Sequence, residues 1–255
     1  MKNNELYNVD IVFLDLARAA ASTVGRIIRY ETMQGNGFMI SDKLFLTNNH
    51  LIYGPEEAKR SIVEFDYELN IKEVVKPTTK FTFAPDEFLM TNPEEDLDFT
   101  IIALGDRISG KKRLSDIGFC PLKETKNAYS LGDFINIIQH PRNRCKKIGL
   151  RNNRLVAQSD EVLHYYTSVT SGSSGSPIFN DRFEPIGLHH YGRPTRISHT
   201  RDGKPGPVKS AEGIRVSAIV KRLKMEKNKL PKKQRALLDI ALNYPFSQPS
   251  ILNQN

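Results

Sequence analysis

Short apolar runs separated by turn-forming residues recur along most of the chain, and this pattern limits the fold more than any other feature. The runs have the length and the β-branched and aromatic content of strands, and Gly, Pro, Asn and Asp lie between them. The predicted strands cover residues 25–31, 38–40, 44–47, 61–67, 99–104, 134–139, 146–150, 155–158, 162–167, 177–179, 185–191 and 213–217. Such a series predicts an all-β fold of two packed antiparallel barrels.

The chain is long enough for this arrangement, because its 255 residues include a hydrophobic fraction of 39%. Short helices are predicted over residues 11–21, 216–227 and 232–242. The predicted division is an N-terminal helical extension at 1–22, a first barrel at 23–115, a second barrel at 116–217, and a C-terminal helix and basic tail at 218–255.

One serine lies in a setting that suits a nucleophile. Residues 170–177, TSGSSGSP, put Ser174 next to glycine, and a tight turn there would gather amide N–H groups around a developing oxyanion. Taken alone, the run is more typical of a flexible Ser/Gly loop. A serine nucleophile also requires a histidine that takes its proton and a carboxylate that orients the histidine.

His50 and Asp98 are the candidates for these partners. His50 follows an apolar strand, and Asp98 opens the β-rich run DFTIIAL after an acidic turn. Each has an ordinary alternative, since His50 fits a plain surface or core histidine and Asp98 fits a solvated turn carboxylate. Asp96 competes with Asp98, which is favoured because it directly adjoins the strand.

Four motifs in the same order give the chain a family resemblance. They are GNGF, LTNNH, DFTII and GSSGSP, at residues 35–38, 46–50, 98–102 and 172–177. In this respect the chain resembles the trypsin-like serine proteases. Residues 137–141, 172–180 and 186–192 are most similar to the bacterial glutamyl-endopeptidase (V8-like) branch, and especially to its intracellular, defence-associated relatives. The resemblance covers roughly residues 20 to 222.

The resemblance implies two six-stranded Greek-key barrels and a triad of Ser174, His50 and Asp98 in the cleft between them. The N–H groups of Gly172 and Ser174 are then the expected oxyanion hole. No metal or organic cofactor is expected, because the mechanism needs none and because His140, His164 and His199 lack the close spacing of metal ligands. Cleavage of a protein substrate is the implied activity.

The resemblance also suggests a specificity pocket. Ser168 stands where trypsin has an acidic residue, while His189 and Ser171 match groups that bind an acidic P1 side chain in glutamyl endopeptidases. Tyr191 and Gly192 complete the expected substrate-binding set. An acidic P1 residue is therefore expected, in agreement with a net charge of +8 and a pI near 9.4. In the alternative interpretation, one of the histidines at 189 and 190 packs near the triad and the other faces solvent.

Several features predict a cytoplasmic protein without a membrane anchor. The N-terminal residues lack the layout of a signal peptide, and no apolar run approaches a membrane span. Cys120 and Cys145 are expected to be free thiols. Ser173 replaces the Asp that activates digestive relatives, so the site is expected either to be formed constitutively or to be controlled by a regulatory or sensor protein.

A second function class stays open. The same fold could be a catalytically silent binding module for a protein or a nucleic acid. The basic residues of the C-terminal helices fit a solvated face better than a nucleic-acid patch, because aromatic side chains are not interleaved with them. The resemblance implies a possible role as a proteolytic effector in bacterial defence.

Overall fold

The computed structural model describes residues 8–124, 129–150, 153–167, 172–191, 194–195, 208–245 and 249–250. Within these ranges the chain forms sixteen strands and five α-helices. Most strands belong to two seven-stranded antiparallel sheets, and the mostly-β prediction is confirmed.

The first sheet closes on itself. Its strands are β1 Val24–Arg29, β2 Thr32–Met39, β3 Leu44–Thr47, β4 Ser61–Phe65, β5 Thr79–Phe83, β6 Leu89–Asn92 and β7 Phe99–Ser109. They lie in the order β3-β2-β1-β4-β5-β7-β6, and a further pairing of β3 with β7 closes a six-stranded barrel with β6 outside it. The long β7 makes this possible, because its first half pairs with β3 and β6 while its second half pairs with β5.

The second sheet has the order β10-β11-β16-β13-β12-β8-β9. Its strands are β8 Asn136–Gln139, β9 Lys147–Gly149, β10 Arg154–Gln158, β11 Val162–Tyr166, β12 Pro177–Phe179, β13 Pro185–Tyr191 and β16 Ala211–Arg215. The sequence predicted a second six-stranded barrel, but the strands of this sheet pair only as a half-barrel. Gly132 N–H donates to Leu155 O at 2.8 Å and Leu155 N–H donates to Asp133 O at 3.0 Å, so irregular backbone before β8 lies against β10. The two-residue strands β14 Pro194–Thr195 and β15 Val208–Lys209 pair separately.

Three apolar clusters hold these elements together. One fills the first barrel around Phe45 and Phe65, and another fills the second sheet around Tyr165 and Ile178. The largest includes Phe38, Phe99, Phe179 and Leu188, side chains from both sheets, together with side chains of the helices. Because burial of apolar surface is the main stabilising contribution to folding, the shared cluster fixes the two sheets relative to each other and so fixes the site at their junction.

The helices are α1 Val12–Thr23, α2 Pro55–Lys59, α3 Leu114–Ile117, α4 Val216–Glu226 and α5 Lys232–Asn243. The N-terminal helix and both C-terminal helices agree with the sequence prediction. No helix in the described part of the chain has the length and apolar character needed to span a bilayer. Cys120 and Cys145 are both free thiols, and burial raises the pKa of Cys120 to about 12.

Candidate active site

The pairing of β3 with β7 brings His50 to Asp98. Thr47 at the end of β3 lies opposite Thr100, so the residues just beyond each strand end share one edge of the barrel. The backbone N–H of Asn49 and the side-chain amide of Asn48 donate to the backbone oxygen of Asp98 at 3.2 and 3.1 Å. These contacts fold the loop after β3 over the start of β7.

Asp98 holds His50 through both carboxylate oxygens. The His50 backbone N–H donates to Oδ1 at 2.9 Å, and His50 Nδ1 lies 2.7 Å from Oδ2. The Asp98 side chain is fully buried, while that of His50 is 19% exposed. A positive φ of 38° at Asp98 marks the kind of strained backbone that clusters at functional sites. Asp96, the competing candidate, is instead paired with Arg222 at 2.8 Å.

A second imidazole contacts the same carboxylate. His190 Nδ1 lies 2.5 Å from Asp98 Oδ2. Burial would raise the pKa of Asp98, but the hydrogen bonds from His190 and His50 outweigh it and hold the pKa below its usual value. Asp98 is therefore an ionised acceptor, and both imidazoles donate to it from Nδ1. The sequence analysis did not assign this contact to His190.

The serine turn lies against the first barrel. Gly172 and Gly175 adopt φ values of 89° and 80°, which favour glycine and let the chain turn sharply on either side of Ser174. The backbone N–H of Asn36, in β2, donates to Ser174 O at 2.8 Å. Ser174 Oγ lies 3.5 Å from the backbone oxygen of His190. The serine hydroxyl therefore lies next to the backbone of His190, the residue whose imidazole contacts Asp98.

Asn36 is a site residue that sequence reasoning missed. Its side-chain amide donates to Gly172 O at 2.7 Å, and its Oδ1 accepts from the backbone N–H of His140 at 3.0 Å. The side chain therefore crosslinks β2 to two segments of the second sheet. The available signal was a polar residue between the glycines of the GNGF motif, where an apolar strand residue would be expected.

The pocket residues are only partly described. His189 is buried, and its Nδ1 lies 2.5 Å from the Tyr165 hydroxyl. Burial, with smaller contributions from His190 and His50, lowers the pKa of His189 to about 3, so it is neutral at physiological pH. Since His190 is also buried, the alternative with one solvent-facing histidine is wrong. Ser168, Ser171 and Gly192 lie outside the described residues, as does the Tyr191 side chain.

Comparison with known proteins gives one family. The trypsin-like peptidase domain family model matches residues 35–188 of the chain. The uncharacterized protein y4fB of Sinorhizobium fredii (strain NBRC 101917 / NGR234) is 35% identical over 205 residues, covering 75% of this chain and 31% of the relative. The chain thus spans about a third of the length of that curated relative.

Solved structures give the same fold. The crystal structure of the Rv3671c protease in an inactive form has a TM-score of 0.54 and 15% identity, covering 85% of this chain and 96% of that chain. An inactive serine-to-alanine mutant of Rv3671c from M. tuberculosis H37Rv has a TM-score of 0.55 and 14% identity, covering 89% of this chain and 98% of that chain. At these identities the likeness concerns the chymotrypsin-like fold.

Proposed function

Because the chain belongs to the trypsin-like peptidase family, we propose that it is a serine endopeptidase with Ser174 as nucleophile, His50 as general base and Asp98 as the orienting carboxylate. The observation that carries the proposal is the pair of hydrogen bonds that Asp98 accepts from His50, one from Nδ1 at 2.7 Å and one from the backbone N–H at 2.9 Å. It fixes both the ring and the loop that bears it.

The proposed triad supports an acyl-transfer reaction. Ionised Asp98 accepts a hydrogen bond from the Nδ1–H of His50, so the lone pair of the imidazole lies on Nε2. Nε2 takes the hydroxyl proton of Ser174 while Oγ forms a bond to the substrate carbonyl carbon. The protonated imidazole then gives that proton to the leaving amine, and water hydrolyses the acyl-enzyme by the reverse sequence.

The proposed oxyanion hole comprises the N–H groups of Gly172 and Ser174. The Ser173 carbonyl accepts from the N–H of Ser176 at 3.2 Å. The C=O and N–H of one planar peptide point in opposite directions, so this bond turns the Ser174 N–H towards the other side of the turn. Donors held in advance in this way stabilise a tetrahedral intermediate without reorganisation during the reaction.

Labelling with a fluorophosphonate probe tests the proposed nucleophile. The wild-type protein should be labelled and Ser174→Ala should not. Ser176→Ala is the matched control, because Ser176 belongs to the same turn but is buried with its hydroxyl unpaired. Persistent failure of the folded wild-type protein to react would support the alternative, a protease-fold module that binds its partner without cleaving it.

An acidic P1 residue is the substrate preference that we propose for this site. Burial, with the Glu212 charge adding to it, raises the pKa of Tyr165 well above its usual value, so the phenol keeps its proton and can donate to His189 Nδ1. The remaining proton of neutral His189 then lies on Nε2, where it can donate to a P1 carboxylate. A peptide library should show cleavage after Glu or Asp, and His189→Leu should remove that preference. Cleavage only after basic or large apolar residues would contradict it.

A cytoplasmic location and a partner-controlled effector role in bacterial defence complete the proposal. The free thiols Cys120 and Cys145 support a reducing compartment. Because the matched part is only 31% of the y4fB relative, segments similar to this chain also occur within longer proteins. Proteomic mapping of new N-termini in cells that express the wild-type protein or Ser174→Ala tests the role. Identical N-termini in the two samples would exclude it.

A further inference from the structure

We propose that His50, Asp98 and His190 form a binding site for Zn²⁺ or a similar divalent transition metal, and that the bound metal switches the peptidase off. Each residue offers one ligand atom, and the three atoms lie within 4.8 Å of one another. Two imidazoles and one carboxylate make up a donor set that zinc uses in proteins, with a fourth position left for water.

The spacing of the ligand atoms suits a small metal ion. Asp98 Oδ2 lies 2.7 Å from His50 Nδ1 and 2.5 Å from His190 Nδ1. In a tetrahedral site with bonds of about 2.0 Å, neighbouring ligand atoms are about 3.3 Å apart. If the two rings shifted by less than about 1 Å, the ion would therefore fit between the two Nδ1 atoms and Asp98 Oδ2, which are now joined by hydrogen bonds.

Burial and charge also favour the site. The Asp98 carboxylate is fully buried, and the side chains of His190 and His50 are 8% and 19% exposed. A cation there would meet an ionised carboxylate in a poorly solvated setting. Glu212 Oε1 lies 4.0 Å from His190 Nε2, on the ring edge that faces away from Asp98. A carboxylate behind a ligating imidazole is a common outer contact of zinc sites, where it fixes ring orientation.

Metal binding changes the tautomer of both histidines. In the metal-free site the Nδ1–H of each imidazole donates a hydrogen bond to Asp98. When Nδ1 and Asp98 Oδ2 bind the metal, each imidazole exchanges its Nδ1 proton for one on Nε2, and no net proton is lost. His50 Nε2 then has no lone pair for the Ser174 proton. This inhibitory step rests on the proposed function, whereas the binding step does not.

Metal titration of folded Ser174→Ala protein tests the binding step without any activity. Calorimetry with Zn²⁺ should give one site, and Co²⁺ should give the intense visible absorption of tetrahedral coordination. Replacing a ligand, by His50→Leu or His190→Leu, should weaken binding at least about a hundredfold, and Glu212→Gln should weaken it about tenfold. Thermal unfolding in the presence of chelator shows that each variant is folded, and Glu212→Gln leaves the three ligand residues themselves unchanged.

Two control variants test whether other side chains bind the metal. Cys145→Ser should leave affinity unchanged, which rules out the partly exposed thiol. His164→Gln should also leave it unchanged, although His164 Nδ1 lies 3.7 Å from Glu212. Absence of saturable binding, or binding that survives both leucine substitutions, overturns the site.

Inhibition is measured on the wild-type protein by fluorophosphonate labelling across a Zn²⁺ titration. Labelling should fall with a midpoint equal to the dissociation constant found for Ser174→Ala. Labelling that stays constant while the site is saturated overturns the switch. A wild-type protein that binds metal but never reacts with the probe would contradict the proposed peptidase function and leave the metal site standing.

Discussion

Asn36, in the closed barrel, donates a hydrogen bond of 2.7 Å from its side chain to the carbonyl oxygen of Gly172, in the serine turn of the other sheet. The Asn36 backbone N–H also donates to Ser174 O, while the Thr47 hydroxyl donates to Asn36 O at 2.6 Å. The serine turn is thus held by the strand pair whose C-terminal extension carries His50. The proposed nucleophile and the proposed base are therefore held by the same part of the first barrel.

Replacement of Asn36 should lower both turnover and stability. Asn36→Ala removes the donor to Gly172 O and leaves buried polar groups unpaired, at a cost of roughly 1 to 3 kcal/mol in unfolding free energy. Displacement of the proposed oxyanion hole should reduce kcat about a hundredfold. Asn36→Asp keeps the acceptor for His140 but sets an oxygen against the Gly172 carbonyl, so its kcat should also fall. Steady-state kinetics with equal kcat for Asn36→Asp and wild type would contradict this role.

Gly175→Ala should be one of the most damaging single-methyl additions in the protein. A Cβ at this residue would lie 1.9 Å from the Asn36 backbone oxygen, at a φ of 80°. Steric overlap and left-handed strain should together cost roughly 3 kcal/mol or more. Gly132→Ala is the matched control, since its φ is 91° but no atom lies within 4 Å of the added Cβ, and it should cost about 1 to 2 kcal/mol. Urea unfolding of both variants measures the difference, and equal losses would show that contact with Asn36 is not the cause.

His190 should act as a positioning residue for the proposed base. His190→Ala removes one of the donors that hold Asp98, so His50 should be less well oriented and kcat should fall about tenfold to a hundredfold with little change in KM. His190→Asn offers an amide N–H near the position of Nδ1 and should recover much of kcat. Parallel kinetics of the two variants test this. If Asn rescues nothing while both variants keep wild-type thermal stability, the hydrogen bond to Asp98 is not what matters.

The sequence predicted the elements that carry the motifs better than the elements between them. His50 after β3, Asp98 at the start of β7 and the ends of α4 and α5 all follow from local patterns. β5 was missed although its burial alternates, with Thr79, Phe81 and Phe83 inward, because lysine and threonine on its outer face weaken the strand signal.

Long-range contacts explain why the sequence did not predict the rest of the site. Nothing local to Asn36 indicates that its partners lie 136 and 104 residues away in the chain. The positions of His189 and His190 depend on a bulge in β13 between His189 and Tyr191, where the register against β16 shifts by one residue. Simple strand alternation cannot foresee such a shift, so it could not predict that both imidazoles would be buried.

Glu68 should make the protein sensitive to acid. Burial would raise its pKa, but Lys146, Arg18 and Lys76 lower it to about 2 from a usual 4.5. The charged form of Lys146 is not stabilised in the same way. Burial lowers the pKa of Lys146 to about 8, because its hydrogen bond to Ala21 O does not replace its lost hydration.

A carboxylate whose pKa is lower in the folded state contributes stability that is complete above pH 4.5 and is lost as the pH falls towards 2. At about 1.4 kcal/mol per unit, this contribution is at most roughly 3 kcal/mol. Urea unfolding at pH 7 should therefore show Glu68→Gln well below wild type, and the gap should close between pH 4.5 and 2. Asp116→Asn is the control, since its pair with Arg113 is exposed and is therefore screened by solvent. A gap for Glu68→Gln that stays constant down to pH 2 would contradict the ionic origin of the effect.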